Sequence, residues 1–95
     1  MEIIRLGHST LLVETVGIRV LIDPGAFTDG WEEVEGLDAV VVTHQHADHV
    51  DPSRMPALLA RNPGVRVLLE PETFRKTEVE GAEPFEAGQV ETLGA

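Results

Sequence analysis

The sequence predicts a small domain of the α/β (α+β) class, and three observations predict it. Ala39-Val40-Val41-Val42-Thr43 is an unbroken apolar run rich in β-branched residues, the pattern of a strand buried on both faces. Thr10 to Thr15 and Ile18 to Ile22 are two more strand-like runs, joined by Val16-Gly17 as a tight turn. Met55, Leu58 and Leu59 recur at helical spacing ahead of Asn62-Pro63-Gly64. Strands followed by helical segments in this way give a sheet with helices packed on it.

Taken in order, Ile3, Ile4 and Leu6 mark a first strand closed by Gly7. The hairpin follows, with Gly17 expected to take positive φ at the turn. Asp23-Pro24-Gly25 ends the third strand, because proline cannot continue a ladder. Residues 26 to 37 are polar, carry Gly30 and Gly36, and read as a loop whose Phe27 and Trp31 are free to pack against the body. After the strand at 39–43, Asp51 and Pro52 read as the cap and first residue of a helix, stopped by Asn62-Pro63-Gly64. Val65 to Leu69 is a further strand, Pro71 to Glu78 a short helix, and Gln89 to Leu93 the start of another strand.

Composition narrows the function. Seven Lys and Arg against 17 Asp and Glu give a formal charge of −10, which argues against nucleic acid and against anionic lipid. The absence of cysteine removes disulfides and thiolate metal sites. The N-terminal residues lack the pattern of a signal peptide, and no apolar stretch approaches the roughly 20 residues of a membrane span, so a cytoplasmic location is expected.

Three of the four histidines fall within Thr43-His44-Gln45-His46-Ala47-Asp48-His49, directly after the apolar strand. In extended chain, side chains two residues apart share a side, so His44, His46 and Asp48 converge, while His49 needs a local turn to join them. Zinc takes neutral imidazole and carboxylate at about 2.0–2.1 Å. A compact set of three His and one Asp can serve two metals, two ligands each. The bland alternative is a solvated polar loop after a strand, and the spacing weighs against it. A His-Glu-x-x-His helix, a Gly-rich phosphate loop and a Gly-x-Ser-x-Gly elbow are all missing. Ser9 beside His8 does not make a dyad, since sequence neighbours do not create one.

Val-Val-Thr-His-x-His-x-Asp-His resembles the first metal motif of the metallo-β-lactamase fold superfamily. Leu6-Gly7-His8-Ser9, the hairpin, and Leu21-Ile22-Asp23-Pro24 are similar to the opening of its L-ascorbate-6-phosphate lactonase-like subgroup of metal-dependent hydrolases. The resemblance implies an αββα sandwich built of two similar halves, with a mixed sheet and flanking helices. It implies a zinc-dependent hydrolase, with one or two Zn2+ (Mn2+ or Fe2+ as alternatives), in which hydroxide on the metal attacks an ester, lactone, amide or phosphodiester. His44 and His46 would hold the first metal, Asp48 and His49 the second, and Asp48 would also orient the nucleophile. His8 would lie near substrate or metal, or serve as a hydrogen-bonded structural residue. Asp23 would accept from a ligand histidine, or serve only as a turn carboxylate before Pro24. The family's remaining ligands come from its second half, and no His follows His49. Residues 1–95 are therefore expected to be the N-terminal half of such a domain, truncated or drawn from a longer protein. A small-molecule substrate is expected. Self-assembly into a homo-oligomer is left open, as is a catalytically incomplete, metal-binding half-domain.

Overall fold

Alternation along the strands decides the two faces of the sheet. A computed structural model describes residues 2–7, 10–25, 30–43, 54–76, 79 and 81–85. They form strands β1 (Glu2–Gly7), β2 (Thr10–Thr15), β3 (Ile18–Ile22), β4 (Ala39–Val42), β5 (Arg66–Leu69) and β6 (Ala82–Pro84), with helices α1 (Met55–Arg61) and α2 (Pro71–Lys76). The strands lie in one sheet in chain order. The first two pairings are antiparallel and the next three parallel, so the sheet is mixed.

The register sets Ile4, Leu12, Leu21, Val40, Val67 and Ala82 side by side across all six strands. Leu12, Leu21, Val40, Val42, Val67 and Leu69 on this face join Met55 and Leu58 of α1, Leu37 and Trp31 in a single buried core. Each such side chain removed from water contributes about 1.5–3 kcal/mol. The next row, Arg5, Leu11, Ile22, Val41, Leu68 and Glu83, faces the other way. There Leu11, Val13, Val20, Ile22 and Val41 are half-buried, and Ile3 is 58% exposed.

The β2–β3 hairpin has the expected bounds, and Gly17 takes φ 77°. Val16 also has positive φ, 23°, as a two-residue primed turn requires. Residues 26–37 are not all irregular. Trp31–Glu33 form a 3-10 turn, because the fully buried Trp31 draws the chain onto the core. Helix α1 begins at Met55 with Arg54 in the N-cap position and Pro56 in the first turn, later than Asp51 and Pro52 suggested; those two residues lie outside the described ones. The helix stops at Asn62 as expected, and the stop has a second role. Asn62 Nδ2 donates to the carbonyls of Val34 and Leu58, and its Oδ1 accepts from the Leu37 N–H. Nothing in the local pattern announced that staple.

Helix α2 ends at Lys76 in the described chain, and residues 77 and 78 lie outside it. Glu70 caps its start, accepting from the Thr73 N–H at 2.9 Å and the Thr73 hydroxyl at 3.1 Å. The Thr73 N–H above all, helped by the Glu72 N–H, the Thr73 hydroxyl and the Arg75 charge, holds the Glu70 carboxyl below the ordinary glutamate range against the opposing effect of desolvation. Strand β6 was not foreseen. It carries Glu83 and Pro84, and among the described residues it is an edge strand, where proline is tolerated. Arg66 meets Glu83 across β5 and β6 through two hydrogen bonds of 2.9 and 3.2 Å. The strand expected over Gln89 to Leu93 lies outside the described residues. No helix of the described chain is long and apolar enough to cross a membrane.

Candidate metal centre

Parallel strands β3 and β4 end side by side, and the histidine motif starts where β4 stops. Ligand sites of open α/β sheets form at these carboxyl ends. Asp23 follows β3 and is 5% exposed. Its N–H donates to the Val41 carbonyl at 2.8 Å, which carries the ladder one residue beyond β3. Its carboxylate accepts from the Thr43 N–H and the Thr43 hydroxyl, both at 2.7 Å. Thr43 immediately precedes His44. Asp23 also has φ 51°, in the left-handed region where Asp is tolerated better than most side chains. That turn of the backbone is over-determined by its neighbours. The fully buried Thr10 donates its hydroxyl to the Asp23 carbonyl at 2.6 Å and accepts from the Gly25 N–H at 3.4 Å.

Arg54, which follows residues 44–53 in the sequence, is held to the same turn. Arg54 Nη2 donates to the Gly25 carbonyl at 2.7 Å, and Nη1 meets Glu32 Oε2 at 2.9 Å. Its guanidinium lies 4.8 Å from the centroid of the Trp31 ring. Trp31 Nε1 donates to the same Gly25 carbonyl at 3.0 Å. Glu32 Oε1 in turn accepts from the Gly30 N–H.

Of the candidate site residues read from the sequence, Asp23 alone is described. His44, His46, Asp48 and His49 lie outside the described residues, as does His8. The described neighbours of His8, Gly7 and Thr10, pair with each other at the edge that holds Asp23. Among the described residues no three His, Cys, Asp or Glu converge as a metal site. Thr10, Trp31 and Arg54 were not read as site residues. Their signal is long-range: each meets the Asp23-Pro24-Gly25 turn, and no local pattern records that meeting.

A mixed six-stranded sheet with helices packed on it defines the class of fold, a metallo-β-lactamase-type α/β architecture. The chain belongs to the beta-lactamase superfamily domain family, whose model matches residues 2–92. It is 45% identical over 73 residues to Protein Rv0786c of Mycobacterium tuberculosis, covering 77% of this chain and 34% of that protein. It is 34% identical over 97 residues to a UPF0173 metal-dependent hydrolase of Aeropyrum pernix, covering 90% of this chain and 39% of that one. The fold resembles the crystal structure of a candidate metal-dependent hydrolase from Parabacteroides distasonis, with a TM-score of 0.64 at 21% identity over 78% of this chain and 33% of that one. The chain thus spans between a third and two-fifths of the length of these curated relatives.

Proposed function

We propose that this chain is the ligand-bearing N-terminal part of a zinc-dependent hydrolase, lactonase-like in its opening residues, that cleaves an ester, lactone, amide or phosphodiester. The observation that carries the reading is the anchoring of Thr43. A buried carboxylate grips the backbone and side chain of the residue that leads into His44-x-His46-x-Asp48-His49. Groups that fix the chain beside a ligand are what a metal site needs, because affinity depends on holding donors in place. Two named relatives are described as metal-dependent hydrolases, which supports the same reading.

The donor set fits zinc. Imidazole and carboxylate are present in the motif and thiolate is absent from the chain. The same set also accepts Mn2+ or Fe2+. His44 and His46 would hold one ion, Asp48 and His49 a second. The chemistry such an ion supplies is a water acidified towards a pKa of about 7. Asp48 would orient that water, His8 would lie near substrate or metal, and Asp23 holds Thr43 at the β4 terminus. The lack of cysteine suits the reducing cytoplasm.

The test combines metal analysis with turnover. One or two zinc ions per chain after gel filtration, lost in His44→Ala or His46→Ala, are expected. An activated ester should be hydrolysed by the full-length protein and spared after chelation. Turnover that survives both chelation and His46→Ala refutes the proposal. One observation favours a second reading, a half-domain that must pair with another polypeptide. On the second face Leu11, Val13, Val20, Ile22 and Val41 are half-buried and Ile3 is 58% exposed, which leaves apolar surface in reach of water. A folded, monodisperse monomer of this chain would contradict that pairing.

A further inference from the structure

Residues 44–53 run between Thr43 and Arg54, and both of those residues are tied to the same short turn. Thr43 is held by the Asp23 carboxylate, and Arg54 by the Gly25 carbonyl. Asp23 and Gly25 are two residues apart, so their Cα atoms are separated by roughly 7 Å at most. The buried Thr10 hydroxyl locks the turn itself, bonding to the Asp23 carbonyl and the Gly25 N–H.

We infer that Arg54 is a positioning residue: it ties the chain just after 44–53 to the turn that already holds Thr43 just before it. Among the described residues its guanidinium meets the Gly25 carbonyl, the Glu32 carboxylate and the Trp31 ring. A planar fork suits such a multi-sided grip, and a lysine supplies only a point charge. Closing both ends of a ten-residue segment on one turn removes conformations that ligand binding would otherwise have to remove. The consequence for metal affinity rests on the reading of the motif as a zinc site, whereas the restraint on the segment does not.

The experiment has two arms. In the metal-free chain, hydrogen exchange by mass spectrometry compares wild type with Arg54→Met and Arg54→Lys. Arg54→Met should exchange several-fold faster within 44–53 while β2 and β4 stay protected, with Arg54→Lys between. In the second arm, zinc competes against a chromophoric chelator, and Arg54→Met should bind about tenfold more weakly. Wild-type exchange in 44–53 of Arg54→Met overturns the inference. So does a loss of protection spread evenly through β2 and β4, which would mark Arg54 as a general stabiliser. Zinc bound by Arg54→Met with wild-type affinity also overturns it, and leaves the metal reading intact. If the wild-type chain takes no zinc while exchange changes as expected, the clamp stands and the metal reading fails.

Discussion

Replacing Asp23 with Ala removes, among the described residues, the two hydrogen bonds from Thr43 to its carboxylate, each contributing about 1.5–3 kcal/mol. It also places Ala at φ 51°, at a cost of roughly 1–2 kcal/mol. Thr43 is exposed, so water recovers part of this, and a net loss of about 3–5 kcal/mol is expected. That is a large share of the roughly 5–14 kcal/mol available to a domain of this size. Asp23→Asn gives the contrast. Its amide oxygen still accepts the Thr43 N–H, its NH2 turns to donate to the Thr43 hydroxyl, and Asn tolerates left-handed backbone. Losing the charge should then cost only about 1–2 kcal/mol. Thr43→Val, which keeps the N–H, should cost a similar amount, about 1–2 kcal/mol, and couple to Asp23→Ala by about 1 kcal/mol or more. Urea unfolding in chelator reads these values through Trp31, the chain's one tryptophan, which is fully buried. An Asp23→Ala chain within about 0.5 kcal/mol of wild type would refute the anchoring argument. Equal losses in the Asn and Ala variants would show that the charge matters and the two-point geometry does not.

At the hairpin, Val16 is 98% exposed and forced to φ 23°, so Val16→Asn should stabilise the chain by about 1 kcal/mol, seen as a higher urea midpoint. An unchanged midpoint would mean the turn relaxes without cost. Glu70 has its folded-state pKa lowered, chiefly by the Thr73 N–H. Its contribution is therefore complete above the ordinary value of 4.5 and is lost as pH falls through the lower folded value. Glu70→Gln should flatten that acid limb of the stability profile, and an unaltered acid limb would remove Glu70 as its source.

Much of the architecture was legible because it is written in local periodicity. Strands β1 to β5, the two-residue hairpin and the stop of α1 at Asn62-Pro63-Gly64 each follow from the residues they contain. The metal motif is a reading of the same local kind, since four potential ligands sit within six residues, and those four lie outside the described residues. What the tertiary structure decided are meetings between distant segments. Strand β6, three residues ending in Pro84, has no strand pattern of its own and exists because β5 offers it a parallel edge. The 3-10 turn at Trp31 exists because the indole finds a buried place and an acceptor in Gly25. Asn62 became a staple only once residues 34–37 came within its reach. Asp23 reads in the sequence as a carboxylate before a proline, and only the parallel alignment of β3 with β4 brings Thr43, twenty residues away, onto its two oxygens. A hydrogen bond depends on where its partner arrives to within a few tenths of an ångström, and no window of sequence around either residue contains that position.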